Sequence, residues 1–487
     1  MVFSSVEFLF MLFPGTLALY FLLSRLPDKT KRVRDPLLNA LLICASLLFY
    51  AWGEPVLLIL LLTSVAANWL FGLGIAHGKG RKLLLAAAVV LNVGLLGVFK
   101  YAGFATDIVN GITGLSLPVP QIALPIGISF YTFQALSYVI DVYRNPRLVQ
   151  KNGFRLLLYI CFFPQLIAGP IVRYDDIAHQ LKSRTLTLDG AMIGFRRLFI
   201  GLGKKILIAD TLAVLVNVCF TDSVAHRLPV GFAWLGAIAY LLQIYFDFSG
   251  YSDMAIGMGH IFGFQFPENF NYPYASLGIK DFWRRWHITL STWFREYLYI
   301  PLGGNRKGKG RMLLNQLIVF FCTGLWHGAN LTFVVWGLYN GLFLILESND
   351  ILPVRRVKST LGKILVRFYT LLIVTVGFVL FRADNLTQAN AYLGSMFAFG
   401  GDWFAWGDSS AWRQVLPCLT PYFFTILGLA VIGAAPLTPT IKRLCDRRPR
   451  LDGVAQRLSL VWSLILLALC AMSLAAGTYS ACIYFQF

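Results

Sequence analysis

The chain has 487 residues, 57% of them hydrophobic and only 13% charged, with a mean hydropathy of +0.67. Soluble proteins carry roughly twice that charged fraction, so there is too little polar surface here to coat a water-soluble globule, and disorder, a coiled coil and a disulfide-stapled secreted domain are excluded by the same arithmetic. The 42 Lys and Arg outnumber the 23 Asp and Glu, for a net charge of +19, but they sit in short runs between apolar stretches, the pattern of cytoplasmic loops in a polytopic membrane protein and not of a nucleic-acid surface.

The first apolar stretch, MVFSSVEFLFMLFPGTLALYFLLSRL, has no basic region ahead of it and no small-residue cleavage site. It reads as a retained first transmembrane helix and not as a signal peptide. Further apolar segments lie near 37–51, 55–76, 83–99, 122–143, 154–172, 191–220, 230–262, 312–347, 361–381, 419–434 and 458–480. At about 20 residues per crossing, roughly eleven spans are expected. Arg25, Lys29, Lys31, Arg32 and Arg34 follow the first stretch, which carries no Lys or Arg in its opening ten residues. The N-terminus is therefore expected outside, with this loop in the cytoplasm. Lys442, Arg443, Arg447, Arg448, Arg450 and Arg457 mark a second cytoplasmic loop, so the last span should climb outward and leave the C-terminal tail on the far face. The acidic, Trp-rich stretch 401–416 suits an outer interface. No internal repeat of the transporter kind is visible. The eight cysteines are scattered without a C-x-x-C pair, so neither a metal nor a redox site is expected.

Polar residues inside an apolar chain are informative, because each costs free energy unless it is paired or faces a watery cavity. They concentrate between 243 and 341. Asp247, Ser249, Ser252 and Asp253 lie in a long apolar segment, either as helix-to-helix hydrogen bonds or as part of a site. In DFWRRWHITLSTWFREYLYIPLGG, a helix turning about 100° per residue puts Phe282, Trp286, Trp293 and Tyr297 on one face and Arg284, His287, Ser291 and Arg295 on the other. Such a helix lies at an interface or lines a cavity near the cytoplasm. Its cationic side (Arg284, Arg285 and Arg295 being candidate phosphate contacts) would receive an anionic ligand such as a nucleotide-bearing donor, with His287 close by.

His327 follows a run of nearly pure hydrocarbon. If its helix continues past Gly328, then Gln316, Thr323, His327 and Asn330 share one stripe. Imidazole alone among side chains exchanges a proton near neutrality, and desolvation at membrane depth keeps it a neutral base. A neutral histidine behind a cationic mouth suits abstraction of a proton from a hydroxyl attacking a thioester. Asn330, Thr323 or a backbone amide near Gly328 would then stabilise the oxyanion. The competing class is a proton-coupled transporter, which also places His and Asp at membrane depth.

The stretch RRWHITLSTWFREYLYIPLGGNRKG, followed by GLWHGAN around His327, resembles the membrane-bound O-acyltransferase superfamily. LFYAWGEP at 48–55, LPIGISFYTFQALSYVIDVYR at 124–144, FFPQLIAGPIVRY at 162–174 and QIYFDFSGYSDMAIGMG at 243–259 are similar to its bacterial polysaccharide branch, the alginate O-acetylation membrane proteins. The resemblance implies an all-α polytopic fold over 1–487, helices ringing a funnel or tunnel, with a catalytic core at 243–347. It implies that His327 is the catalytic histidine and His287 a supporting polar group. It also implies that acetyl-CoA is the cytoplasmic acyl donor, with no bound cofactor, and that a periplasmic transferase completes O-acetylation of an exported polymer at the bacterial inner membrane. D-alanyl transfer to teichoic acid is the alternative within the family.

The last span and tail, 458–487, end Ala481-Cys482-Ile483-Tyr484-Phe485-Gln486-Phe487. This is similar to the aromatic C-terminal motif of the branch, with Ala-Cys standing where a Pro-Phe-like pair is usual. The resemblance makes Tyr484 a candidate acyl carrier, and the distribution of basic residues independently puts it on the outer face.

Overall fold

A computed structural model of the chain describes residues 1–27, 30–221, 228–399, 403, 410–437, 439–440 and 449–477. Among these the regular secondary structure is helical throughout. Among the described residues seven helices are long and apolar enough to cross a membrane, eight if Trp412–Cys418 and Pro421–Ala434, bent by 71° at their junction, form one span. The protein is a multi-pass membrane protein.

Several apolar segments are interrupted, and the breaks follow proline. The segment expected to start near 122 becomes helical only at Ile128, because Pro125 lacks the N–H that a helix needs and disfavours helical backbone at the residue before it. The stretch 154–172 is divided into Gly153–Cys161 and Phe163–Leu166 followed by irregular chain. Residues 158–172 are buried in protein, the condition under which non-helical backbone is tolerated at membrane depth.

The chain forms two compact units, Met1–Leu198 with Tyr251–Glu268, and Phe199–Gly250 with Asn269–Phe487. Of the interval 243–347, residues 251–268 thus belong to the first unit. In that unit the Leu58–Ala76 and Arg81–Leu96 helices are joined by Asn68 and Asn92, which exchange amide hydrogen bonds of 3.2 and 2.7 Å. Arg184 donates to the Tyr20 hydroxyl at 2.9 Å, the Phe262 carbonyl at 3.0 Å and Asn39 Oδ1 at 2.6 Å. Arg197 donates to Asp253 at 2.9 Å and to Glu268 at 2.6 Å.

In the second unit, Asp247 is held by a cation. Lys205 Nζ lies 2.7 Å from Asp210 Oδ1 and 2.9 Å from Asp247 Oδ1, with all three side chains almost wholly buried. The lysine sits in a locally widened helical turn, Lys204–Ala209. Asp247 and Asp253 are therefore both held by cations in ion pairs, as helix-to-helix bonding requires.

The Lys309–His327 and Leu331–Ser348 helices form an antiparallel hairpin. Gly324 and Gly337 let the two backbones touch: a Cβ at Gly324 would stand 2.3 Å from the Phe333 carbonyl oxygen, and one at Gly337 2.3 Å from that of Phe320. This close approach builds the wall on which the candidate site stands.

Candidate active site

The segment expected to be one amphipathic helix is broken. Ile279–Trp283 is a short helix, Ile288–Phe294 a second, and Arg295–Tyr299 a widened turn. The break is at His287, whose backbone is left-handed, with φ 44° and ψ 55°. A side-chain-bearing residue rarely adopts this conformation unless its surroundings impose it. They do so through Asn269. Its carbonyl accepts from Ile288 N–H at 2.9 Å, and its side-chain Oδ1 accepts from Thr289 N–H at 3.3 Å and Thr289 Oγ1 at 2.9 Å.

Asn269 Oδ1 also lies 3.1 Å from His287 Nδ1. Because the backbone N–H of Thr289 identifies this atom as the oxygen and not the nitrogen of the amide, Nδ1 must carry the proton, and Nε2 presents its lone pair. Nε2 is buried and takes no hydrogen bond from any described residue. The ring is 1% exposed, stands edge-on to Phe248 at 4.6 Å, and its pKa is pushed down to about 3 by burial, which penalises the charged form. His287 is thus a neutral acceptor. Asn269 carries no local sequence signal, since it lies 18 residues away.

His327 is the last residue of its helix, and Gly328 continues in extended backbone. The helix does not carry on to Asn330. Asn330 instead caps the next helix, its Oδ1 accepting from Thr332 N–H at 3.1 Å and its Nδ2 donating to the Asp384 carbonyl at 2.7 Å. His327 is 5% exposed and sits in an aromatic box, edge-on to Trp326 at 5.0 Å, Trp336 at 5.1 Å and Phe381 at 5.0 Å. Trp326 also packs on His287, with ring centroids 6.1 Å apart, so one indole contacts both imidazoles.

Beside the histidines is a cavity of about 730 Å³. Its wall includes the polar residues Lys280, Arg284, Arg295 and Ser291 and the aromatic residues Trp283 and Phe320. Thr323, one turn before His327 on the same helix, also lines it. Neither His327 nor His287 is on the cavity wall. Arg285 is not on it either: it pairs with Asp281 at 3.0 Å and donates to the Asn271 carbonyl at 3.4 Å. Lys280 supplies a third cation, one turn before Arg284 on the same short stretch, which sequence reading passed over. Three cations sharing a wall with aromatic side chains favour a ligand that joins an anionic group to an uncharged part. Among the described residues, no group of His, Cys, Asp or Glu is arranged to hold a metal ion.

Tyr484 lies outside the described residues.

Residues 151–382 match the profile of the membrane-bound O-acyltransferase family. The whole chain aligns with the whole of a probable alginate O-acetylase, AlgI, of Pseudomonas putida, 41% identical over 505 positions. It aligns equally completely with the corresponding probable alginate O-acetylase of Azotobacter vinelandii at 40% identity. A peptidoglycan O-acetyltransferase of Helicobacter pylori is 37% identical, with 82% of this chain and 80% of that protein covered.

Proposed function

The chain belongs to the membrane-bound O-acyltransferase family, and from that premise we propose that it moves acetyl groups from cytoplasmic acetyl-CoA across the inner membrane for O-acetylation of an exported polysaccharide. The observation that carries this reading is the cavity, which joins three cations to the helix bearing His327. Acetyl-CoA has the chemistry that such a wall selects: anionic phosphates for Lys280, Arg284 and Arg295, and an uncharged arm for the aromatic side chains. Asn305 also lines the cavity, and Arg306, Lys307, Lys309 and Arg311 follow it directly. A run of this kind marks the cytoplasmic side, which is where the donor is made. The names of the full-length relatives support an acetylated polysaccharide, alginate among them, as the destination.

In this mechanism His327 takes the proton of an attacking hydroxyl as its oxygen adds to the thioester carbonyl. The tetrahedral adduct collapses with cleavage of the C–S bond, and the imidazolium returns the proton to the departing thiolate, so free CoA leaves as the thiol. The acceptor hydroxyl in this scheme is the phenol of Tyr484, which then passes the acetyl group to a periplasmic transferase that acts on the polymer. His287, neutral and held by Asn269, supports the site with the Nε2 lone pair. Thr323 and Asn330 remain candidates for supporting polar groups, Thr323 from the cavity wall and Asn330 through the turn that follows His327.

The test is incubation of the purified full-length chain with acetyl-CoA labelled in the acetyl group. Release of free CoA together with label on the protein is expected. A chain that neither releases CoA nor takes up label, while correctly inserted, overturns the assignment.

A further inference from the structure

Glu347 is placed where a carboxylate is least expected. It sits in the last turn of the Leu331–Ser348 helix, the negative end of the helix dipole, and is 1% exposed. Both penalties require compensation, and one short segment supplies two backbone donors toward it. Glu347 Oε1 accepts from the Ile279 N–H at 2.6 Å and Oε2 from the Lys280 N–H at 3.0 Å. The preceding N–H, of Gly278, donates to Thr370 Oγ1 at 2.9 Å. Three consecutive backbone donors are therefore taken by side chains of two different membrane helices, Leu331–Ser348 and Thr360–Arg382.

Gly278 makes this approach possible. Its φ of 102° is open to glycine, and a Cβ there would stand 2.9 Å from Glu347 Oε2. The pinned segment continues directly into the cavity wall, since Lys280, Trp283 and Arg284 all line it, whereas Glu347 and Thr370 do not. Trp283 packs on Trp336 at 5.7 Å, and Trp336 stands edge-on to His327 at 5.1 Å. A shift of residues 278–284 would thus move two cavity cations and disturb the box around His327 together.

We infer that Glu347, assisted by Thr370, is a positioning residue that holds Lys280 and Arg284 in register for the phosphates of the acyl donor. This role rests on the donor reading of the cavity. In Glu347→Gln the amide keeps one acceptor oxygen but turns an NH₂ group toward a backbone N–H, so one of the two bonds is replaced by a donor-donor clash.

The experiment measures acetyl-CoA binding to the purified full-length chain in lipid nanodiscs. Glu347→Gln is expected to weaken binding at least ten-fold. Arg284→Ala should cost much less in the Glu347→Gln background than in the wild type, because its guanidinium is already displaced. A general loss of folding would not produce that coupling. Thr370→Val, which deletes the Gly278 bond and the hydroxyl's own donation to the Val366 carbonyl within its helix, should weaken binding several-fold and provides the same test if Glu347→Gln fails to accumulate. If the wild-type chain does not bind acetyl-CoA, the donor reading falls and this inference with it. If the wild type binds while Glu347→Gln and Thr370→Val bind equally well, or if the Arg284→Ala loss adds in full, only the positioning role is overturned.

Discussion

Asn269 decides which nitrogen of His287 carries a proton. The hydrogen bond from His287 Nδ1 to Asn269 Oδ1, 3.1 Å long, joins residues on either side of an 18-residue excursion, and the same oxygen accepts from the backbone of Thr289. An amide oxygen engaged by a backbone N–H cannot be exchanged for the amide nitrogen, so the tautomer of His287 follows from the fold. The strained backbone at His287 and the buried, unprotonated Nε2 of its ring have the same origin.

The first consequence concerns pH. Burial holds the His287 pKa down at about 3, so this ring contributes no ionisation to activity near neutrality. Asn269→Asp places a carboxylate against Nδ1–H and favours the imidazolium, by about 1–3 pH units for an opposite charge at this range. Activity of the variant should fall as pH is lowered through the raised pKa, because protonation consumes the Nε2 lone pair. A pH–rate profile of CoA release checks this; a variant profile that superimposes on that of the wild type would show that the Nε2 lone pair is not used.

His327→Ala should abolish acetyl transfer while the protein still inserts normally. Removal of a general base typically costs 10²- to 10⁴-fold in rate. The measurement is labelled-acetyl transfer normalised to the amount of protein in the membrane, and retained activity would remove His327 from the base role.

The three arginines of the RRWH…R segment should separate. Arg284→Gln and Arg295→Gln are expected to raise the Michaelis constant for acetyl-CoA more than they lower turnover, since both side chains line the cavity. Arg285→Gln should leave that constant near the wild-type value, because its guanidinium is engaged by Asp281 and the Asn271 carbonyl. Steady-state kinetics on the three variants distinguishes cavity contact from charge in general.

Lys205→Met removes the cation between Asp210 and Asp247. Breaking a buried ion pair from one side costs roughly 3–5 kcal/mol, so a marked fall in the thermal unfolding midpoint of the detergent-solubilised protein is expected. An unchanged midpoint would mean that the carboxylates are stabilised chiefly by other groups.

Tyr484→Phe removes the phenolic oxygen proposed to carry the acetyl group and nothing else. Polymer acetylation should stop while hydrophobic anchoring of the tail is kept. Polymer acetylated at the normal rate by the variant would take Tyr484 out of the pathway.

Much was legible in the sequence because the relevant physics acts locally. Partition into lipid depends on the apolar content of about 20 successive residues, and orientation on the Lys and Arg of short loops, so membrane character, approximate spans and the odd polar residues could be read directly. His287 and His327 stood out for the same reason, as polar groups in apolar surroundings. Periodicity failed where side chains replaced the helix's own hydrogen bonds: Asn269, from a distance, breaks the segment at His287, and the local cap at Asn330 starts a new helix and ends the stripe that began at Gln316. Which cations face the cavity was likewise undecided by spacing, because Arg285 turns to Asp281 while Lys280 is brought to the wall by Glu347, 67 residues further on. Sequence by itself determined the solvent this chain lives in and the chemistry it carries. Tertiary structure decided which of those groups share a site, since that depends on close backbone approach and on buried hydrogen bonds between residues remote along the chain.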